Sequence, residues 1–190
     1  MKYAMVLPDG AADEPVRELE GRTPLQAAKK PHMDWIASHG RQGCVVTVPR
    51  GFAPHSDVAT LSLLGYDPRT DYSGRAPLEA AARGIAAQAD ELIFRCNFVT
   101  IVDEVMTDYT AGHISQVEAD HLIADLNQSL AGRDCRFFSG ISYRNLMVAA
   151  DASEMDLQST PPHDIPDRPV AQHWPRGTGS ERIQAVMDDA

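Results

Sequence analysis

Near its N-terminus the sequence reads Lys2-Tyr3-Ala4-Met5-Val6-Leu7-Pro8-Asp9-Gly10. Its first part, residues 2–7, is short and apolar, which predicts a core β-strand that stops at Pro8. Two helical segments follow, and the β-branched run at 44–48 predicts a second core strand. Strand, helix and strand in this order favour a right-handed parallel crossover. The N-terminal region is therefore predicted to be an α/β domain with a parallel sheet.

The helices of this region have recognisable start residues. The first begins with a capping box over Thr23–Gln26, which includes a proline at the first helical position. The second is predicted over 32–39, with Met33 and Ile36 on its apolar face. A third, short amphipathic helix is predicted over 56–64, after a loop rich in proline and glycine.

The pattern changes after a turn-rich linker at 66–74. Alternating residues at 91–101 predict a half-buried strand, and the segments 135–138 and 142–149 predict a hairpin. A capping box at Ser115–Glu118 opens a helix between them. The predicted core face of that helix consists of Val117, Leu122, Leu126 and Leu130.

These elements predict a small α+β module with an antiparallel sheet. We therefore divide the chain into an N-terminal α/β part at 1–72, an α+β module at 73–178, and a helix that starts within 179–190. The stretch 161–179 is dense in proline and glycine and is predicted to be a loop.

Composition excludes several classes of function. The chain has 190 residues, with 17 basic and 27 acidic side chains and a formal net charge of −10. It has no basic stripe, so we expect no nucleic-acid binding. No apolar run approaches the ~20 residues that span a bilayer, so we expect no membrane insertion and a cytoplasmic location. Three widely spaced cysteines predict neither a disulfide framework nor a thiolate metal site.

Asp9 is the first candidate for chemistry. It directly follows a predicted strand, and ligands collect at the carboxyl ends of strands in open α/β sheets, so Asp9 is well placed to hold a divalent cation. Capping of the turn by Asp9 explains the same position equally well. The residues alone leave both interpretations open.

Ser56 is the second candidate, because it lies at the predicted start of a helix. The unpaired N–H groups and the positive end of the helix dipole make such a position an anion site. A serine hydroxyl needs a base or a metal before it becomes a good nucleophile, and the sequence shows no obvious triad. Ordinary N-capping by Ser56 is the stronger interpretation from spacing alone.

Other polar residues have weaker patterns. Arg75, Arg95 and Arg144 can clamp a phosphate or carboxylate, and Arg95 and Arg144 fall on predicted strands, so they can share a sheet face. Surface arginines that bind nothing explain them as well. A turn-forming role explains His163-Asp164.

Several ordered segments together resemble one known family, the archaeal-type cofactor (2,3-bisphosphoglycerate)-independent phosphoglycerate mutases of the alkaline phosphatase superfamily. The resemblance covers residues 1 to about 170 and is closest to a bacterial branch labelled proposed homoserine kinase. The segments that carry it are Val6–Pro15, Gly21–Ala28, Ser56–Pro68, Ser73–Ala80, Phe94–Phe98, Asp108–Ser115, Ser142–Leu146 and Pro162–Ile165.

The resemblance implies a phosphatase-type α/β domain with two divalent metal ions (Mn, Mg or Zn) and an inserted α+β cap domain that grips a small phosphorylated acid. Asp9 aligns with a metal-ligating aspartate. Ser56 aligns with a serine that contacts metal and is transiently phosphorylated as 2- and 3-phosphoglycerate interconvert in glycolysis and gluconeogenesis. Asn97, His113 and Arg144 become candidates for substrate contact.

The chain departs from the family pattern in three places. His55 stands where the family often has Gly, and Tyr109 and His113 stand where archaeal mutases typically carry arginines. The family's remaining metal ligands belong to a C-terminal segment, with a motif such as Asp-Glu-Ala-Gly-His, that these 190 residues do not contain. We therefore expect this chain alone to be inactive. A homoserine kinase-like phosphotransferase and a non-catalytic binding module stay open as alternatives.

Overall fold

The computed structural model describes residues 1–189. The chain divides into two compact units, Met1–Tyr72 and Ser73–Ala190, and each is described by itself. Both contain helices, the second also contains small sheets, and the protein as a whole is of the mixed α/β class.

The first unit consists of short helices joined by extended chain. The capping box predicted at Thr23 is confirmed: the Gln26 amide donates to Thr23 Oγ1 (3.1 Å) and the Thr23 amide donates to Gln26 Oε1 (2.9 Å). The third helix begins at the predicted residue and ends one residue early. The four helices are α1 (Pro24–Ala27), α2 (Pro31–His39), α3 (Ser56–Leu63) and α4 (Pro68–Asp71).

The structure differs from the prediction at residues 2–7 and 44–48, which form no strand. Every strand pair within residues 1–189 is antiparallel. A parallel strand needs hydrogen-bonding neighbours and cover on both faces, and these segments have neither, since Val6 and Val46 are each 85% exposed. Apolar, β-branched composition shows that a segment can form a strand, but these two segments do not form one.

The second unit is built on a three-stranded antiparallel sheet. Its strand order is β1-β5-β4, so the predicted hairpin is confirmed and its second strand lies in the centre. The strands are β1 (Leu92–Asn97), β2 (Thr100–Val102), β3 (Val105–Asp108), β4 (Cys135–Ile141), β5 (Arg144–Ala149), β6 (Asp156–Gln158) and β7 (Arg176–Thr178). The pair β6–β7 enters the stretch 161–179, so the prediction of continuous loop there was wrong.

Helices cover both faces of this sheet. On one face α5 (Arg75–Ala82) packs Ala76 and Ala80 against Leu146 of β5. On the other face α6 (Gln116–Ser129) and α7 (Ser180–Asp189) enclose a larger apolar cluster. The central strand β5 contributes to both clusters, so the core of this unit lies on its two sides.

The capping box that opens α6 is formed, but its predicted core face is partly wrong. Ala119 and Ile123 are buried, whereas Val117 and Leu122 are exposed. The small Ala119 side chain lets the helix approach the sheet closely, so a face that includes alanine is buried in place of the face richer in large side chains. None of the helices in residues 1–189 is long and apolar enough to cross a membrane.

Candidate functional site

Ser56 and Asp9 meet in the first unit although they are 47 residues apart. The Ser56 hydroxyl donates to Asp9 Oδ2 over 3.1 Å, and both residues are exposed. Ser56 is the first residue of α3, and the N-cap position belongs to His55. The expectation that Ser56 is an ordinary N-cap is therefore wrong, since its hydroxyl engages a distant carboxylate.

A tight turn presents Asp9. The Ala11 amide donates to the Pro8 carbonyl (3.2 Å), so Asp9 and Gly10 are the two central residues of a β-turn. Gly10 has φ +71°, which glycine adopts without steric cost. Pro8 and Gly10 thus fix the backbone on either side of the carboxylate, which points to Ser56.

The electrostatic environment of Ser56 suits an anion. Ser56 lies in the first turn of α3, where the positive end of the helix dipole supplies partial positive charge. His55 before it has the extended backbone angles usual for an N-cap residue (φ −105°, ψ 146°), and Ser56 is exposed. A group carried on Ser56 Oγ would be accessible and close to this positive end.

The two oxygens fit part of a cation site. A carboxylate and a hydroxyl are oxygen ligands of the type that Mg²⁺ and Mn²⁺ prefer. Within residues 1–189, no group of three or more His, Cys, Asp or Glu side chains is placed to hold a metal ion. Asp9 and Ser56 therefore match two members of a ligand set and do not complete one.

Two of the three predicted substrate-contact residues come together in the second unit. Asn97 at the end of β1 pairs directly with Arg144 at the start of β5. Cross-strand partners project from the same sheet face, and Arg95 lies on that face too, as predicted. The Asn97 Oδ1 atom is buried and has no hydrogen-bond partner among the described residues. An unpaired buried oxygen is costly, so Asn97 Oδ1 has the capacity to accept a hydrogen bond from a bound molecule.

Arg144 is exposed, and Tyr143 holds it in place. Its guanidinium carbon lies 5.0 Å from the Tyr143 ring centroid, and Nη2 donates to the Tyr143 hydroxyl over 2.9 Å. The Tyr109 ring contacts Tyr143 edge-on at 6.3 Å, and His163 contacts Tyr109 at 6.4 Å. This aromatic array was missed at the sequence level because its members come from three separate segments. Only the adjacency of Tyr143 and Arg144 pointed to it.

His113 lies in a cleft of its own. The cleft measures about 660 Å³, and its lining includes Ser115, Glu118 and His121 but neither Asn97 nor Arg144. The loop that carries His113 is tied to the β4–β5 turn, because Ser142 Oγ donates to the Ile114 carbonyl (2.6 Å).

Asp108 organises the start of the same loop. Its carboxylate accepts hydrogen bonds from the Thr110 hydroxyl (2.6 Å), the Thr110 amide (2.7 Å) and the Gly112 amide (2.7 Å). The hydrogen bonds from Thr110, the side-chain bond above all, hold the pKa of Asp108 below its ordinary value. The loop is therefore fixed by an ionised carboxylate.

The predicted clamp of arginines is only partly assembled. Arg75 and Arg95 both pair with Glu79, at 3.2 and 3.3 Å. The single carboxylate of Glu79 offsets part of their two charges, although the buried Arg95 Nε makes no hydrogen bond to it. Arg144 keeps its exposed guanidinium beside the Tyr143 ring and is the better placed of the three to receive an anion.

Known proteins resemble this chain along its whole length. The model of the 2,3-bisphosphoglycerate-independent phosphoglycerate mutase family matches residues 37–190. The enzyme of that name from Methanosarcina mazei is 51% identical over 188 residues, which cover 99% of this chain and 47% of the relative. The one from Methanothrix thermoacetophila is 49% identical over 190 residues, with 100% and 47% covered.

A solved structure agrees with these relatives. The cofactor-independent phosphoglycerate mutase from Thermoplasma acidophilum superposes with a TM-score of 0.51 and 34% identity, covering 95% of this chain and 49% of the other. The chain spans about half the length of the curated relatives it matches. From the family match and these identities together, this chain belongs to the 2,3-bisphosphoglycerate-independent phosphoglycerate mutase family.

Proposed function

We propose that this chain supplies the phosphate-accepting part of a metal-dependent phosphotransferase that interconverts 2-phosphoglycerate and 3-phosphoglycerate through phospho-Ser56. The observation that carries the proposal is the hydrogen bond from Ser56 Oγ to Asp9 Oδ2 (3.1 Å), made at the start of a helix. Membership of the mutase family supports the substrate.

Ser56 is the proposed nucleophile. Its Oγ attacks the phosphorus of the substrate ester, so a Ser56–O–P bond forms, the substrate O–P bond breaks, and the Ser56 proton ends on the departing substrate oxygen. In the second half the other hydroxyl of the bound glycerate attacks phospho-Ser56, so a new glycerate O–P bond forms, the Ser56 O–P bond breaks, and the hydroxyl proton returns to Ser56 Oγ. The first turn of α3 stabilises the added phosphate through the positive end of the helix dipole.

Asp9 orients Ser56 by accepting its hydroxyl proton in a hydrogen bond, which turns an oxygen lone pair away from the carboxylate. Asp9 and Ser56 are also the residues that would hold a divalent cation. When bound there, such an ion lowers the pKa of the serine hydroxyl and screens the phosphoryl charge. The full ligand set for two ions needs residues beyond these two, so we infer that the 190 residues alone have negligible turnover.

We infer that Arg144, Asn97 and His113 contact the substrate from the second unit. The chain carries a formal charge of −10, so its overall field repels an anionic substrate and recognition depends on local cations. Arg144 is such a cation, and Tyr143 limits its freedom before any ligand arrives. We further infer a cytoplasmic location and membership of the alkaline phosphatase superfamily.

A second substrate class is supported by the aromatic array. Tyr109 and His113 replace arginines that are typical of archaeal mutases, and Tyr109 packs against Tyr143 beside Arg144. One cation beside two rings suits a ligand with one carboxylate and a less polar remainder. Transfer to a small hydroxy amino acid such as homoserine is therefore our second candidate.

The two candidates separate in one assay. The full-length protein is incubated with Mn²⁺ and 3-phosphoglycerate, and formation of 2-phosphoglycerate is followed. A parallel reaction adds homoserine as acceptor with 3-phosphoglycerate as the phosphoryl donor, and phosphohomoserine and released glycerate are followed. Phosphohomoserine formed in place of 2-phosphoglycerate would favour the second candidate. We expect mutase turnover that Ser56→Ala abolishes, while Ser62→Ala in the same helix leaves it unchanged. Turnover that survives Ser56→Ala would contradict the phosphoserine route. Robust turnover by the 190 residues alone would contradict the inferred incompleteness.

A further inference from the structure

Tyr72 contacts the polypeptide on both sides of Ser56. Its hydroxyl donates to Asp57 Oδ2 over 2.6 Å, in a partly buried hydrogen bond. Its ring contacts Phe52 edge-on, with centroids 6.3 Å apart. Phe52 lies four residues before Ser56 and Asp57 one residue after it, so a single side chain braces both ends of the segment that carries the serine.

The bracing reaches the backbone of α3. The Asp57 carboxylate accepts two hydrogen bonds. Oδ2 accepts from the Tyr72 hydroxyl, and Oδ1 accepts from the backbone amide of Val58 (2.9 Å). Val58 is the anchor of the helix, with 2% of its surface exposed. The first turn of α3 is thus held by the buried side chain of Val58 and by the hydrogen bond from Tyr72 to the Asp57 carboxylate.

This arrangement matters because Ser56 itself is exposed and has few other restraints. A nucleophile must be held close to its productive orientation, and a displacement of about 1 Å costs roughly a hundredfold in rate. The bond to Asp9 restrains the Ser56 side chain, whereas the contacts of Tyr72 restrain the backbone on which that side chain rests.

We propose that Tyr72 is a positioning residue for Ser56, acting through Asp57 and Phe52. The proposal rests on the function proposed above, since it assumes that Ser56 accepts the phosphoryl group. Tyr72 touches neither substrate nor metal in this scheme, so it governs the chemical step and leaves substrate affinity alone.

The first test uses kinetics of the full-length protein. Tyr72→Phe keeps the ring against Phe52 and removes the hydroxyl, and we expect kcat to fall about tenfold with KM changed less than about twofold. Asp57→Ala should also lower kcat, and adding Tyr72→Phe to it should cause no further loss, because the Tyr72 hydroxyl then has no carboxylate to donate to. Tyr66→Phe, which alters an exposed tyrosine of the same unit, is the matched control. Wild-type kcat in Tyr72→Phe, or independent multiplicative losses in the double variant, would overturn the proposal.

The second test does not depend on catalysis. Hydrogen exchange of the Val58 amide is measured by NMR in the 190-residue chain, with the Ala119 amide of α6 as internal reference. Tyr72→Phe should speed exchange at Val58 several-fold relative to Ala119. Unchanged exchange at Val58 would refute the bracing itself. Faster exchange in a full-length protein that never phosphorylates Ser56 would instead place the failure in the proposed function.

Discussion

The two units of this chain differ in what stabilises them. The second unit encloses apolar clusters on both sides of β5, with Leu146 only 1% exposed. In the first unit, among residues 1–72, Val58 and Pro68 are the buried residues, and many large apolar side chains are exposed, such as Tyr3, Trp35, Ile36 and Val45. Yet it is the first unit that brings Asp9 and Ser56 together.

The difference shows that apolar patterning and burial are separate matters. Both units have the residue types of a core, but only the second contains, within its own sequence, strands and helices that cover one another. A polar contact such as that between Ser56 and Asp9 needs only a turn and a helix start of suitable geometry. The first unit therefore holds Asp9 and Ser56 together although it buries few residues of its own.

Truncation of a core side chain gives the largest expected contrast between the units. Leu146→Ala should destabilise the second unit by roughly 2–5 kcal/mol, because it removes buried atoms and leaves a cavity. Ile36→Ala in α2, where the side chain is 64% exposed, should change stability by no more than about 0.5 kcal/mol. Urea unfolding followed by circular dichroism measures both. A cost for Ile36→Ala equal to that for Leu146→Ala would mean that the first unit has a core of its own.

A side chain that completes the sheet gives an intermediate effect. Asn127 of α6 donates to the Phe137 carbonyl and accepts from the Phe137 amide, both at 2.9 Å, and so serves as the missing neighbour at the edge strand β4. Asn127→Ala leaves both groups without these partners and should cost about 1–3 kcal/mol. In the first unit, Gln42→Ala loses an exposed bond to the Ala37 carbonyl (2.8 Å) and should cost less than about 0.5 kcal/mol. Equal costs in urea unfolding would remove the contrast.

The smallest effect concerns two half-buried carboxylates, Asp67 in the first unit and Asp108 in the second. The pKa of Asp108 is lowered by hydrogen bonds from Thr110, whereas the pKa of Asp67 is lowered by the Arg69 side chain. A lowered folded-state pKa means that each carboxylate stabilises its fold above the ordinary value of 3.8, and that this contribution is lost as pH falls through the lower folded value.

The two shifts should respond differently to salt. About 1 M NaCl should move the pKa of Asp67 toward its ordinary value by screening the guanidinium, while that of Asp108, held by neutral donors, should move less. Titration of the carboxyl carbons by NMR at low and high salt measures this. Equal salt responses would contradict the assignment of causes.

Local patterns explain what was predictable in the fold. The capping boxes at Thr23 and Ser115 were predicted and formed, because their hydrogen bonds join residues three apart. The hairpin β4–β5 was predicted because its two strands are adjacent in the sequence and are joined by a short turn. The pair β6–β7 was missed, since each strand has three residues and the partners lie about twenty residues apart with a loop-like sequence between them.

Tertiary partners explain what was not predictable. The buried face of α6 depends on how closely Ala119 lets the helix approach the sheet, which helical periodicity alone does not specify. The segments at 2–7 and 44–48 have strand composition but no neighbours to pair with. The pairing of Asp9 with Ser56 was expected from the family resemblance and not from spacing, because no local pattern links residues 47 apart.

Phosphopeptide mapping determines whether Ser56, oriented by Asp9, carries the phosphoryl group. The full-length protein is mixed with Mn²⁺ and 3-phosphoglycerate, quenched in acid within a turnover, digested and examined by mass spectrometry, alongside Ser56→Ala and Asp9→Asn. We expect phosphate on the Ser56 peptide of the wild type, none there in Ser56→Ala, and strongly reduced labelling in Asp9→Asn. A competent enzyme whose phosphate appears on another residue, or on none, would contradict the account.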